Sequence, residues 1–273
     1  MSSEKDMPFL DHLEELRWHI IRALVGLLVV TVVAFTQADF LFGTVIFGPS
    51  RPDFITYQWI CELSQVLCID KLPFTIQNRV PSGQFTMHIL VSVVAGFIIA
   101  FPYIFWEIWR FITPALYGHE QKVAAGATFF VTLLFMLGIS FGYFAVVPLT
   151  LNFLSNYQVH PDVVNEYDLG SYVSTITLLV MGCGLMFQLP MVAFFLSRLG
   201  IVTPSMMRSY RRHAIVVILI VAAIITPPDV VSQILVGTPL LLLYEISIYV
   251  SAVVHAKKKR ELEKREENNF LQV

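Results

Sequence analysis

Three acidic side chains, Asp11, Glu14 and Glu15, share a short stretch with Leu10, Leu13 and Leu16. Leucines at that spacing make one apolar helical face, so the stretch reads as an amphipathic helix on a membrane surface. Carboxylates beside an anionic leaflet are unfavourable unless cations meet them. Two readings stay open. The acids could complement the positive end of the helix dipole. They could also receive a basic ligand.

Other strings suggest chemistry and fall short of it. Gly138-Ile-Ser140-Phe-Gly142 spells the nucleophile-elbow pattern, but that pattern needs a strand–turn–helix context. Inside an apolar helix the same residues read as close helix packing. His119-Glu120 begins a zinc motif whose second ligand position is Val123. No phosphate-cradling glycine loop occurs, and no Cys/His set suggests a metal, so neither metal nor cofactor is expected. Gln188 and Glu245 fall mid-way along apolar runs, and His88 near the end of one. Intramembrane polar groups are expensive and often functional. Their plain alternatives are a helix–helix hydrogen bond for Gln188 and a neutral or paired carboxyl for Glu245. Cys61 and Cys68 share one connection, where an oxidising compartment would permit a disulfide. Cys183 reads as a packing thiol.

The elements that must position these residues are apolar. Hydrophobic residues make up 56% of the 273, charged residues only 14%, and the mean hydropathy is +0.69. Soluble domains carry about 25% charged residues. A span needs roughly 20 apolar residues. Such runs fall at 20–40, 86–106, 123–150, 170–196, 213–227 and 232–254. The fold class expected is therefore all-α, a polytopic membrane protein with six transmembrane helices. A single domain is expected, with a cytoplasmic amphipathic helix at 1–19, a long outer loop at 41–85 and a charged tail at 255–273. Pro102 should bend or end the second span early. Thr226-Pro227-Pro228-Asp229 should separate the last two spans, with Asp229 capping the helix that follows. The fifth run is short and should thin the bilayer locally.

Of eighteen Lys and Arg, only Arg51, Lys71 and Arg79 fall on one side of these spans. Cation-rich loops stay cytoplasmic, which puts both termini inside. An even span number requires the same. The first run is too long for a signal peptide and lacks a small-residue cleavage site. A solute or ion carrier remains open on these grounds, with binding near Gln188 and Glu245; the two halves show no convincing repeat.

Several strings, in this order, resemble the TatC family, the multispanning subunit of the twin-arginine protein translocase. They are His12-Leu-Glu-Glu-Leu-Arg17, Phe111-Ile-Thr-Pro-Ala-Leu-Tyr-Gly-His-Glu120, Phe144-x-x-x-Pro148 and Thr226-Pro-Pro-Asp229-Val-Val-Ser-Gln233. The resemblance covers nearly the whole chain. It implies a receptor, not an enzyme, that binds the Arg-Arg signal peptides of folded precursors. It also implies assembly with TatA- and TatB-type single-span partners and with other copies of itself, in the lipids of a bacterial cytoplasmic (inner) membrane. Nucleic acid is not implied. On this likeness Glu15 and Glu120 receive the arginine pair, since a planar guanidinium binds a carboxylate through two parallel hydrogen bonds. Leu16 and Phe111 flank them. Arg17 orients Glu15 or meets lipid phosphate. Pro49 and Asp229 match extracytoplasmic positions, and span five is the dock for a partner helix. Gln188 stands where many relatives carry Glu, and the 41–85 loop is longer than usual.

Overall fold

In hydrocarbon every backbone N–H and C=O needs a partner within the chain, and a helix supplies all of them locally. The apolar runs accordingly form long helices. The computed structural model describes residues 9–63, 72–112, 121–160, 162–226 and 230–270. Its helices are α1 (Phe9–Phe35), α2 (Ala38–Phe40), α3 (Ile55–Leu63), α4 (Gly83–Ile112), α5 (Gln121–Phe141), α6 (Val147–Asn156), α7 (Leu169–Met186), α8 (Leu189–Leu199), α9 (Pro204–Ser209), α10 (Arg211–Ile225) and α11 (Val230–Phe270). Among the described residues five stretches are long and apolar enough to cross a membrane: Glu14–Phe35, Gly83–Phe111, Thr128–Asn156, Leu169–Leu199 and Ser232–Lys257. The fifth apolar run is the 15-residue α10, about 22 Å long at 1.5 Å per residue.

Three features differ from the expectations. The amphipathic stretch and the first span are one unbroken helix, α1. Of the bend or early end expected at Pro102, the early end does not occur, because Pro102 lies inside α4, which runs on to Ile112; proline removes one ladder bond, and the flanking turns carry the helix past it. A strand pair also occurs, β1 (Thr75–Gln77) and β2 (Glu166–Asp168), in parallel register Thr75↔Glu166 to Gln77↔Asp168. Three-residue strands lack the alternating pattern that would announce them.

The contacts fall into two compact units. In the first (Met1–Phe54, Pro73–Leu133, His160–Thr177), α1 and α4 pack as an antiparallel pair. A Cβ on Gly96 would stand 2.9 Å from the Thr31 Cα, so glycine permits the close approach. Toward the start of α1, Gly26 lies against the Tyr103 ring. Asp168 accepts the Gly170 N–H at 2.9 Å, capping the start of α7, and the Arg79 N–H at 3.3 Å. Arg79 also donates to Glu166 at 3.2 Å, so this cation clasps the strand pair. The Tyr172 hydroxyl donates to the Ile46 carbonyl at 2.9 Å.

The second unit is Ile55–Leu72, Leu134–Val159 and Leu178–Val273. Here Gly138-x-x-x-Gly142 meets α7 directly: a Cβ at Gly138 would lie 2.7 Å from the Cys183 carbonyl oxygen, and one at Gly142 would lie 3.0 Å from the Val180 Cα. Ser140 is exposed on the helix surface. The glycines serve packing, not a nucleophile elbow. A π-helical turn, Gly142–Val146, leads into Pro148 at the start of α6. Proline has no N–H to give the Phe144 carbonyl. The Thr56 hydroxyl donates to that carbonyl instead, and the Tyr57 hydroxyl donates to the Pro148 carbonyl at 3.0 Å. The helix α3 thus satisfies what the proline leaves open. Gly200, at φ 82, closes α8 by donating to the Leu196 and Ser197 carbonyls. Ser197 donates to Ser251 at 2.7 Å, and Thr150 pairs with Ser232 at 2.7 Å. Cys61 is disulfide-bonded, while Cys183 is free and buried; Cys68 lies outside the described residues.

Candidate functional site

The N-terminal turns of α1 carry Glu15, Leu16 and Arg17, and the last turn of α4 carries Phe111. A buried polar pair sets their register. His19 Nδ1 and Glu107 Oε2 share a hydrogen bond of 2.6 Å, with the side chains 7% and 3% exposed. Tyr103 OH donates to the other carboxylate oxygen at 3.3 Å. The three contacts Thr31–Gly96, Gly26–Tyr103 and His19–Glu107 run in opposite chain directions, so the helices are antiparallel.

The consequence is geometric. Glu15 precedes His19 by four residues and so shares its face of α1. Phe111 follows Glu107 by four and shares its face of α4. In an antiparallel pair both lie about one turn, four residues or about 6 Å, beyond the histidine–glutamate pair in the same direction. Glu15 and Phe111 are therefore level, at the end of the helix pair that carries Arg17 and Arg110. The Phe111 ring centroid stands 6.1 Å from that of His19. Glu15, Leu16 and Phe111 are each half-buried.

Arg17 does not reach toward Glu15. Its Nη2 donates to Glu14 at 3.4 Å, and its guanidinium stands 5.8 Å from the Trp18 ring centroid. Arg110 similarly stands over Trp106 at 5.5 Å. Both helices thus present a cation beside an indole, the amphipathic pairing of a membrane–water boundary. Glu120 and Asp229 lie outside the described residues.

The remaining expected positions are elsewhere. Pro49 is fully buried in the turn Gly48–Ser50. Gln188 sits at the break between α7 and α8, its carbonyl accepting from Met191 N at 2.9 Å and Val192 N at 3.0 Å. Glu245 is half-exposed and accepts from Arg211 Nη2 at 2.7 Å. His88 stacks on Phe35 at 3.9 Å and meets Phe42 edge-on at 5.8 Å. No cluster of His, Cys, Asp or Glu among the described residues could hold a metal. Sequence reasoning passed over Glu107, His19 and Tyr103. The available signal was an acid at 107 inside an apolar run, with a histidine in the first span to meet it.

The TatC model, "Sec-independent protein translocase protein (TatC)", matches residues 11–239. The chain belongs to the TatC family. A TatC protein of Blattabacterium sp. subsp. Periplaneta americana is 37% identical over 266 residues, 94% of this chain and all of that protein. TatC of Aquifex aeolicus is 34% identical, again over 94% of this chain and all of its own length. A crystal structure described as the twin-arginine translocase receptor TatC superposes with a TM-score of 0.70 at 34% identity, covering 89% of this chain and 99% of that one. As a TatC protein the chain is a multi-pass membrane subunit of the twin-arginine translocase rather than an enzyme.

Proposed function

We propose that this chain is the receptor and scaffold of its translocase, binding the Arg-Arg signal peptides of folded precursors at Glu15 and Glu120. The observation that supports this reading is the buried His19–Glu107 pair with Phe111 beside His19, from which helical spacing puts Glu15 and Phe111 at one level. A half-buried carboxylate beside an aromatic ring suits a guanidinium followed by an apolar residue. Glu120 supplies the second acid by family likeness. Leu16 lies beside Glu15 as further apolar contact. Arg17 donates to Glu14 rather than to Glu15, which is consistent with Glu15 receiving the ligand.

The same reading has six spans, with α10 as the short fifth, and both termini in the cytoplasm of a bacterial inner membrane. The cation distribution supports it. The exposed apolar residues Val216, Val217, Ile220 and Ile224 on α10 suit a TatA- or TatB-type single-span helix. Other copies of the chain join the complex, and the proton-motive force drives export. Mid-membrane solute coupling finds less support, because Glu245 is paired with Arg211 and Gln188 carries no charge.

The test is photocrosslinking of an Arg-Arg signal peptide to the full chain in membranes. Glu15→Ala and Glu120→Ala should each abolish the crosslink while leaving insertion intact, and a Lys-Lys peptide should crosslink weakly. Undiminished crosslinking in both variants refutes the site.

A further inference from the structure

In the second unit, α8, α9, Tyr210 at the junction of α9 and α10, and the middle of α11 line a cavity of ≈ 270 Å³. Its walls are aliphatic and thioether side chains, Leu196, Met206 and Met207 among them. The two hydroxyl-bearing residues that α11 contributes are already committed. Tyr244 OH donates to the Met207 carbonyl at 2.9 Å, and Ser247 donates to the Leu243 carbonyl at 2.7 Å. The third wall hydroxyl, that of Tyr210, belongs to a residue 56% exposed at the mouth, so the inner walls suit hydrocarbon. It is open on one side, where Val192, Met206 and Tyr210 are 50%, 44% and 56% exposed. The volume falls below the roughly 300–1,000 Å³ of whole-ligand pockets. A helix about 10 Å across does not enter it; a single extended chain does.

The unpaired charge flanking this mouth in the sequence is cationic. Between Asp168 and Asp229 the sequence has no Asp or Glu and has four arginines, Arg198, Arg208, Arg211 and Arg212. Arg211 is neutralised by Glu245 at 2.7 Å. Arg208 and Arg212 are exposed and make no ion pair among the described residues. Arg208 follows the wall residues Met206 and Met207 directly, and Arg212 follows Tyr210 by two positions. Basic residues beside a gap between membrane helices favour anionic lipid headgroups.

We infer that this groove is a binding site for an anionic phospholipid, one acyl chain lying against Met206 and Val192 and the phosphate meeting Arg208 and Arg212. The inference rests on the proposed orientation, which puts this connection at the cytoplasmic leaflet. The lipid would brace α9 against α11 in the part of the chain where α10 is shortest relative to the bilayer.

The test uses the full chain in vesicles with photoreactive acyl-chain analogues of phosphatidylglycerol and phosphatidylcholine, the labelled peptides being mapped by mass spectrometry. Phosphatidylglycerol should label the Met206–Met207 segment in preference, by about fivefold for each arginine engaged. Arg208→Gln with Arg212→Gln should remove the preference. Val192→Trp, at the exposed mouth, should remove labelling by both lipids while thermal unfolding stays near that of the parent. Inorganic phosphate at millimolar concentration should displace nothing. Equal labelling by the two lipids, labelling undiminished in Val192→Trp, or displacement by free phosphate overturns the inference. Protease access to the 255–270 tail in the same vesicles reads the orientation separately. Arg-Arg peptide crosslinking, unchanged in these variants, reads the receptor assignment separately.

Discussion

Replacing His19 with alanine is expected to be among the most damaging single changes in the first unit. It would leave the Glu107 carboxyl, 3% exposed, with only the longer Tyr103 hydrogen bond of 3.3 Å. Removing one partner of a buried pair costs about 3–5 kcal/mol, because the other is stranded without water. Replacing both with apolar residues of similar size is often near neutral. The double variant His19→Leu/Glu107→Leu should therefore recover most of what His19→Ala and Glu107→Ala each lose. The coupling should be at least about 2 kcal/mol, within the range seen for residues in contact. The assay is reversible unfolding of the purified chain in mixed micelles, with Arg-Arg peptide crosslinking measured on each variant. His19→Ala should weaken crosslinking at least about tenfold if Glu15 and Phe111 slip by a fraction of a turn, since 1.4 kcal/mol is a factor of ten. Single losses below about 1 kcal/mol, or a double variant equal to the sum of the singles, would refute the role given to this pair.

Other outcomes follow from the packing. Gly138→Val should destabilise the second unit by about 1–3 kcal/mol, because the Cβ already meets the Cys183 carbonyl oxygen at 2.7 Å; Ser140→Ala, on the exposed face, should change neither stability nor peptide crosslinking. Thr56→Val should cost about 0.5–1.5 kcal/mol in the same unfolding assay, by removing the hydroxyl that donates to the Phe144 carbonyl. Denatured, unreduced protein should take up one equivalent of thiol reagent at Cys183 and three after reduction; two or more before reduction would contradict the Cys61 disulfide. Arg79→Ala, whose pair with Glu166 is exposed on both sides, should cost no more than about 1 kcal/mol.

The amino-acid sequence alone determined that the chain is built of long apolar helices and which family strings it carries, and its loop charges support the proposed orientation of the ends. Those properties depend on local composition: long apolar runs can satisfy their backbones in lipid only as helices, and loop charge is additive along the chain. It also named Glu15, Leu16 and Phe111 as candidate site residues. What it did not reveal was how they are brought level. The pairing of His19 with Glu107 links positions 88 residues apart, and a histidine or glutamate within an apolar run carries no mark of its partner. The same holds for Thr56 completing the break at Pro148, and for the parallel strands joining residues 75–77 to 166–168. Each of these is a long-range match of a few donors to a few acceptors. Such matches leave no periodic pattern in the chain, so only the tertiary structure decides them.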